Sequence, residues 1–229
     1  MTARGTGRAR VTVHNLISVD GRLDGFTADL GLYYELAANV THQAVLTGSG
    51  TMLAAAAREG IDLSGEDADR RPTAVDDPRP WLVIVDSRGR LTRLDWLRGQ
   101  PYWRDVIVLV SSATAAAHRD QLRRHRIEHV VTGTGRVDLA AALRTLTERY
   151  GVTEVRVDAG AGLNTALLRA GLVDEISVVV APYLVGAGAA SPLRLVGVLD
   201  GTVPRLELTR VEPLRDSHVW LRYAVVADS

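Results

Sequence analysis

The sequence predicts an α/β fold with a mostly parallel central sheet and a C-terminal antiparallel hairpin, and two observations carry this prediction. Short runs rich in valine and isoleucine alternate with stretches of helical periodicity over residues 10–185, as is typical of βα units. Beyond residue 203 the pattern changes to strict alternation of apolar and polar residues, which is typical of paired antiparallel strands.

The β-branched runs predict seven strands before the hairpin. In chain order they read RVTVHNLISV, QAVLTG, WLVIVDS, DVIVLVS, IEHVVTG, EVRVDAG and EISVVVAPYLV. Two further segments, PRLELTRVEPL and SHVWLRYAVVA, are joined by RDS and form the predicted hairpin, which we place at the sheet edge.

Three helices are predicted between the strands. The clearest runs from Asp138 to Tyr150, where leucines recur at helical spacing, Asp138 is a good N-cap and Gly151 supplies a left-handed end. A second helix is expected around residues 113–126, with a solvated outer face. A third is expected to start near Leu163 and to stop at Gly171.

The chain is predicted to form a flexible tail over residues 1–10 and one domain over residues 11–229. A long polar segment, residues 58–80, interrupts the pattern. A surface loop is the favoured interpretation of this segment, and a lid over a substrate is the alternative.

Composition excludes several classes of function. The chain has 27 basic and 27 acidic residues and a net charge of zero, so neither nucleic acid nor an acidic membrane surface is an expected partner. It lacks cysteine, and its six histidines form no His-Glu-x-x-His pattern, so we expect no metal site. No secretion signal or membrane-spanning run is recognisable, and we expect a cytoplasmic protein.

One candidate binding segment is the small-residue turn AGAG, which follows the strand EVRVD and leads directly into a helix. Such a turn lets backbone N–H groups approach a phosphate, and the helix N-terminus favours negative charge there. The alternative is an ordinary tight turn. Thr165 stands where Gly-x-Gly-x-x-Gly requires its third glycine, and the turn comes late in the chain, so an ordinary Rossmann site is disfavoured.

Two other strand ends carry polar residues. TGSGTM follows the second strand, and its Thr51 is expected either to cap the next helix or to donate its hydroxyl to a phosphate. VDSRGRL places Ser87, Arg88 and Arg90 after the third strand, where a hydroxyl and guanidiniums suit a phosphomonoester such as the 2′-phosphate of NADP. Alternatively, Asp86 and Arg88 only shape a turn.

These segments, in this order, resemble the reductase domain of riboflavin biosynthesis from Val13 to about Val226. ISVDG is similar to the family's Ser-Leu-Asp-Gly, VLTGSGTML to its Gly-x-Gly-Thr-Val and VIVDSRGRL to its Val-Asp-Ser-x-x-Arg. The long stretch VDAGAGLNTALLRAGLVDEISVVVAPYLVGAG resembles Val-Glu-Gly-Gly-x-x-Leu followed by Leu-Val-Asp-Glu and Pro-x-Leu-x-Gly.

The resemblance implies a dihydrofolate-reductase-like three-layer fold and NADPH as the cofactor. It implies substrate contacts at Ser18 and at Asp158, which is one methylene shorter than the family's glutamate. The implied cofactor-binding residues are Leu16, Ser18, Gly48, Thr51, Asp86, Ser87, Arg88, Gly133, Gly160, Ala161, Gly162, Leu163, Asn164 and Thr165.

The sequence departs from the family mainly on the substrate side. Ala55 and Ala56 replace two aspartates, and Asn39 lies near the position of an arginine. A phosphate binds poorly without a guanidinium, and the arginines that could substitute for it from the polar segment are Arg58, Arg70 and Arg71.

The first functional hypothesis is therefore an NADPH-dependent reductase of the ribosylaminopyrimidine phosphate of riboflavin biosynthesis. The alternatives are the same cofactor with a pterin, flavin-like or secondary-metabolite substrate, and a homologue that binds the nucleotide without turnover. Asp20 is either a proton donor or, as we favour, a turn residue, and no catalytic residue is assigned. The resemblance and the alternating hairpin together predict a homodimer.

Overall fold

The computed structural model describes residues 7–63, 67, 76–186, 193–201 and 203–226. Nine strands lie within these residues: β1 (Arg10–Ser18), β2 (Ala44–Gly48), β3 (Trp81–Val85), β4 (Val106–Val110), β5 (Glu128–Val131), β6 (Glu154–Val157), β7 (Glu175–Ala181), β8 (Arg205–Pro213) and β9 (Val219–Val226). The helices are α1 (Leu30–Ala37), α2 (Ser49–Glu59), α3 (Asp95–Arg98), α4 (Ala116–Arg124), α5 (Leu139–Tyr150) and α6 (Ala161–Arg169).

The chain divides into two compact units. The first comprises residues 1–9 and 42–155, and the second comprises residues 10–41 and 156–229, so the division between them in sequence falls within β6. The prediction of one domain over residues 11–229 stays a prediction. The tail over residues 1–10 also stays a prediction, and within that range Ala9 is fully buried and β1 begins at Arg10.

The first unit contains four parallel strands in the order β5-β4-β3-β2. Its core consists of strand residues such as Ile84 and Val108 and of the leucines that follow β3, with Leu122 of α4 packed against them. All five residues of β4 are buried, which explains why the strand reads as an unbroken apolar run.

In the second unit the strand order is β1-β7-β9-β8. β1 and β7 are parallel, with Ser18 opposite Ala181, whereas β7–β9 and β9–β8 are antiparallel. A cluster that includes Leu16, Tyr33, Val179 and Trp220 forms the core on one face of these strands.

Most predicted elements are confirmed: the strands, the α/β class, the mostly parallel pairing and the C-terminal hairpin. α5 has the predicted ends, since the Asp138 carboxylate accepts a hydrogen bond from the Ala141 N–H at 2.9 Å and Gly151 adopts a φ of +66°. α4 is shorter than predicted, and α6 begins at Ala161 rather than near Leu163. The short α3 was missed because four residues show no periodicity.

None of the described helices has the length and apolar character needed to span a bilayer.

Candidate functional site

The start of α2 offers backbone N–H groups without a side-chain cap. Gly48 is the N-cap residue and has no side chain to cap the first turn. The prediction that Thr51 caps this helix is wrong, because Thr51 lies inside the first turn. The Arg90 guanidinium donates a hydrogen bond to the Ser49 hydroxyl at 2.9 Å, so a positive charge lies beside the uncapped turn. This arrangement suits an anion.

In the turn after β3, the side chains of Asp86 and Ser87 accept hydrogen bonds from the protein backbone. Asp86 is 1% exposed, and its carboxylate accepts a hydrogen bond from the Leu91 N–H at 2.9 Å. The Ser87 hydroxyl accepts from the Val137 N–H at 3.0 Å. The side chains of Asp86 and Ser87 therefore shape the turn. Arg88 is exposed, so its side chain can reach a ligand without breaking either of these hydrogen bonds.

Gly133 is required by local geometry. Its φ is +71°, and a Cβ atom there would lie 2.2 Å from the Arg136 carbonyl oxygen and 2.7 Å from the Asp138 nitrogen. Only glycine fits such a backbone. The structure thus gives Gly133 a role in the turn before α5, and its predicted contact with the cofactor stays a prediction.

The small-residue turn after β6 has open space beside it. Gly160 is the N-cap of α6, with φ −85° and no side-chain cap on the helix. A Cβ atom at Gly160 would meet only the Leu23 Cδ1 atom, at 4.0 Å, and one at Gly162 would meet nothing within 4 Å. Packing within the described chain therefore does not explain why both residues are glycine. A ligand held close to this backbone would explain it.

Asn164 and Thr165, further along α6, point into the protein. The Asn164 side chain is 0% exposed, and its amide nitrogen faces three acceptors: the Asn15 side-chain oxygen at 3.2 Å and the carbonyl oxygens of Ala159 at 3.0 Å and Leu195 at 2.9 Å. This arrangement fixes the orientation of the amide. Its side-chain oxygen is buried and accepts no hydrogen bond from the described residues.

Thr165 forms a hydrogen bond with the segment that contains Leu195. Its hydroxyl accepts a hydrogen bond from the Gly197 N–H at 2.7 Å, and the side chain is 8% exposed. Two residues predicted to bind the cofactor, Asn164 and Thr165, therefore use their side chains to hold residues 195–197 against the start of α6. Their backbone is the part that remains available to a ligand at the turn.

Asp158 is the last residue before this turn and keeps part of its surface accessible. Burial among protein atoms raises the pKa of its carboxyl group, while a hydrogen bond with Tyr33 and the charge of Arg156 act in the opposite direction. Burial also raises the pKa of Tyr33, and its hydroxyl donates to the His14 carbonyl oxygen at 3.3 Å. Tyr33 was absent from the predicted site because nothing in its helix signals a partner so far along the chain.

The end of β1 forms a closed turn. The Ser18 hydroxyl donates to the Asp20 carboxylate at 2.7 Å and accepts from the Arg22 N–H at 2.9 Å. The backbone N–H groups of Val185 and Gly186 also donate to Asp20, and these bonds, with the one from Ser18, hold its pKa far below the usual range. Asp20 is therefore a turn residue, as we favoured, and its ionised carboxylate has no proton to donate.

Leu16 and Ser18 are both buried, at 8% and 0% exposed, and their predicted contacts with a nicotinamide or a substrate stay predictions. On the side where the sequence departs from the family, Asn39 and Arg58 are exposed and Ala56 is fully buried. Arg70, Arg71 and about half of the segment predicted as a loop or lid lie outside the described residues.

Comparison with known proteins gives consistent matches. The model of the RibD C-terminal domain matches residues 9–219. The 2,5-diamino-6-ribosylamino-4(3H)-pyrimidinone 5′-phosphate reductase of Methanothermobacter thermautotrophicus is 29% identical over 197 residues, covering 81% of this chain and 83% of the relative.

Two solved structures share the fold. Riboflavin Biosynthesis Reductase Rib7 of Saccharomyces cerevisiae matches with a TM-score of 0.65 and 18% identity, covering 98% of this chain and 93% of that protein. RibD of Acinetobacter baumannii matches with a TM-score of 0.65 and 23% identity over 96% of this chain, which spans 59% of that protein's length.

Proposed function

Since the chain belongs to the RibD C-terminal domain family, we propose that it is an NADPH-dependent reductase of a ribosylaminopyrimidine 5′-phosphate of riboflavin biosynthesis. The observation that carries this proposal is its similarity, over four-fifths of its length, to a reductase of such a pyrimidinone phosphate. We further propose that it works in the cytoplasm.

Each unit, taken alone, has residues that suit one part of a dinucleotide cofactor. In the second unit, the uncapped first turn of α6 and the open space beside Gly160 and Gly162 suit a pyrophosphate. In the first unit, the uncapped first turn of α2 lies beside Arg90, and Arg88 is exposed nearby in sequence. These arginines would bind a 2′-phosphate as charged donors.

A bound nicotinamide would supply a hydride to the electrophilic carbon of the substrate. Reduction of a carbon–nitrogen double bond also requires one proton on the nitrogen, and we assign that proton to Asp158. Burial raises the pKa of this carboxyl group, so it keeps its proton to a higher pH than an exposed aspartate would. Tyr33 orients the carboxyl group and is a positioning residue.

Titration of the purified protein tests this function directly. NADPH and NADH are titrated by calorimetry, and 2,5-diamino-6-ribosylamino-4(3H)-pyrimidinone 5′-phosphate is then added while the absorbance of the reduced nicotinamide is followed. We expect tighter binding of NADPH than of NADH and oxidation that depends on the pyrimidinone. Absence of binding to either nucleotide would refute the reductase proposal.

The specificity for NADPH has its own test. Arg88→Ala together with Arg90→Ala should weaken NADPH binding by about 10-fold or more and leave NADH binding nearly unchanged, because NADH lacks the 2′-phosphate. Arg144→Ala, which removes an exposed arginine from α5, is the matched control. Equal losses for both nucleotides would reject the assignment of these two arginines.

A different small heterocycle is the second candidate substrate, and one observation favours it. Ala56 is fully buried and Asn39 donates its side-chain amide to the Glu35 carbonyl oxygen at 3.2 Å, so neither resembles the charged groups that the family places there. Binding of NADPH without oxidation by the pyrimidinone, but with oxidation by a pterin or flavin-like compound, would select this candidate. Oxidation by no candidate would favour a protein that binds the nucleotide without turnover.

We also propose that the chain forms a homodimer through its C-terminal hairpin. Leu206, Leu208 and Val211 of β8 are 39%, 52% and 58% exposed, so the hairpin presents a row of large apolar side chains. A monomeric mass at tens of micromolar protein in sedimentation would contradict this proposal.

A further inference from the structure

β8 is an open edge strand. Its hydrogen-bonded partner among the described residues is β9, and it stands last in the strand order of the second unit. Eight of its nine residues are exposed, all but Glu212. The outer side of such a strand presents unpaired N–H and C=O groups, which bind another strand unless the protein blocks them.

The two faces of β8 differ in chemistry because the strand contains a bulge. The register with β9 shifts between Leu208 and Arg210, so Thr209 is the extra residue. Since residues directly opposite each other in a sheet share a face, the partners on β9 identify the faces of β8. One face carries four charged residues, Arg205, Glu207, Arg210 and Glu212, and the other carries Leu206, Leu208 and Val211.

The charged face is ordered in the free chain. The Arg210 guanidinium lies 4.3 Å from the centre of the Trp220 ring, and it forms an ion pair with Glu212. Both side chains remain about half exposed, at 48% and 40%. The charges are therefore held on one face without being neutralised by burial.

We propose that two copies of this chain pair through β8, antiparallel about a two-fold axis between Leu208 and Thr209. In this register Arg205 lies opposite Glu212 of the partner subunit, and Glu207 lies opposite Arg210 of the partner subunit. Leu206 lies opposite Val211 of the partner subunit on the apolar face. This inference rests on the proposed homodimer and specifies which strand and which register form it.

The bulge makes this register possible. A two-fold axis perpendicular to a sheet keeps each residue on its own face, so opposite residues must share a face. In a regular strand Glu207 and Arg210, three residues apart, point to opposite faces and cannot be partners. The extra residue Thr209 brings both to the charged face, and the same holds for Arg205 with Glu212 and for Leu206 with Val211.

Neighbouring registers are unfavourable for electrostatic reasons. A shift in one direction places Arg205 opposite Arg210 of the partner subunit, and a shift in the other places Glu207 opposite Glu212 of the partner subunit. Like charges directly opposite each other destabilise a strand pair, whereas opposite charges stabilise it. Among these three registers, the proposed one sets all four charges of each strand against opposite charges.

Cysteine cross-linking tests the register. The chain contains no cysteine, so Glu207→Cys/Arg210→Cys has only the two introduced thiols. Paired residues have Cα atoms about 4.5–5.5 Å apart, within disulfide reach. Residues 207 and 210 of one chain lie opposite Ala224 and Arg222, two residues apart on β9, so their Cα atoms are about 7 Å apart, at the limit of that reach, and a denaturing gel distinguishes a bond within one chain from a covalent dimer. We expect mild oxidation to give a covalent dimer that a reductant reverses. Each single variant should cross-link far less.

A second double variant separates the registers. Glu207→Cys/Glu212→Cys would cross-link in the shifted register, and we expect it to remain largely monomeric in a denaturing gel. A cross-link in this variant but not in Glu207→Cys/Arg210→Cys would overturn the proposed register. If the wild-type chain sediments as a dimer and neither double variant cross-links, pairing through β8 is wrong while the homodimer proposal stands. If the wild-type chain is monomeric, both proposals fail.

Charge exchange tests the pairing without a covalent bond. Glu207→Arg should raise the dimer dissociation constant by about 10-fold, because it places two arginines opposite each other in both symmetry-related pairs. Glu207→Arg/Arg210→Glu should restore it, since the opposite charges are again paired. Loss of the dimer in the single variant without recovery in the double variant would contradict the proposed pairing.

Discussion

Asp86 and Asp158 follow the same sequence pattern, Val-x-Val-Asp, at the ends of two strands in different units, yet their carboxyl groups have different surroundings. Asp86 is 1% exposed, and its carboxylate accepts a hydrogen bond from the Leu91 N–H. Asp158 keeps part of its surface, and burial raises its pKa, partly offset by the neighbouring Tyr33 hydroxyl.

The residues after each aspartate cause this difference. After Asp86 the chain turns back at Gly89, whose φ is +61°, and brings the Leu91 N–H to the carboxylate. A Cβ atom at Gly89 would lie 2.9 Å from the His118 ring, so the turn is closed by packing as well. After Asp158 the chain enters α6 directly at Ala161. The carboxylate of Asp86 binds within its own turn, and the carboxyl group of Asp158 is the one that we propose as the proton donor.

The largest expected effect is on kcat, and it distinguishes the carboxyl group of Asp158 from that of Asp86. Asp158→Asn removes the proposed proton donor and should lower kcat by about 100-fold or more. Its NADPH dissociation constant should change little and the variant should still fold, because an amide also fits beside Tyr33. Steady-state kinetics and calorimetry measure both quantities. A variant as active as the wild type would show that the proton comes from another group.

Asp86→Asn is the matched control at the other strand end. It retains an acceptor for the Leu91 N–H but places an amide nitrogen in a site that is 1% exposed, and we expect it to lower the free energy of unfolding by about 1–3 kcal/mol. The kcat of the folded fraction should be unchanged. Chemical denaturation and kinetics on the same samples separate the two outcomes.

A second prediction concerns glycines in the first unit. Gly133→Ala should destabilise the protein by about 2–4 kcal/mol, because it combines a left-handed backbone with a collision against the Arg136 carbonyl. Gly135→Ala, two residues away, has nothing within 4 Å of the added atom and should change stability by about 0.5 kcal/mol or less. Similar unfolding midpoints for both variants would contradict a structural role for Gly133.

The sequence predicts the fold better than it predicts the site. Strands and α5 are encoded locally, by β-branched runs, leucine spacing and residues such as Asp138 and Gly151 that fix a helix end. The roles of Ser87 and Asn164 depend on hydrogen bonds to residues far away in the chain, Val137 and Leu195. A single sequence contains no signal for such partners, so it predicts which segments carry the candidate site residues but not which hydrogen bonds their side chains form.

One clue to the interior of the second unit was present in the sequence. Asn15 follows His14 in the middle of β1, and a polar residue in a central strand needs a buried partner. That partner is Asn164, together with the Ala159 carbonyl. The pairing of Tyr33 with Asp158 and the placement of Arg90 beside Ser49 had no comparable signal, because both side chains are typical of exposed helix and loop positions.

The third prediction concerns Gly160 in the second unit, where, unlike at Gly133, a substitution by alanine should leave the free energy of unfolding nearly unchanged. Gly160→Ala should leave the free energy of unfolding within about 0.5 kcal/mol of the wild type, since the added atom meets only a leucine methyl at 4.0 Å. Gly160→Val should weaken NADPH binding by about 10-fold or more, because a branched side chain would separate the backbone N–H groups from the pyrophosphate. Gly135→Val is the control outside the turn. An unchanged NADPH affinity in folded Gly160→Val would make this turn purely structural.

The smallest expected effect is a pH dependence of opposite sign in the two units. Burial lowers the pKa of His118 below its ordinary 6.5, partly offset by Asp86, so its stabilising contribution is present above pH 6.5 and is lost as the pH falls through the folded pKa. The pKa of Asp158 is raised above its ordinary 3.8, so its contribution is present below pH 3.8 and is lost as the pH rises through the folded pKa.

Each displaced pKa unit changes stability by about 1.4 kcal/mol. Asp158→Asn should therefore melt higher than the wild type at pH 7, and the difference should shrink toward pH 4, whereas His118→Gln should flatten the loss of stability below pH 6.5. Melting curves of the three proteins between pH 4 and 8 measure both trends. Parallel curves would show that neither group changes its proton affinity on folding, and Asp158 would then lack the property that makes it the proposed proton donor.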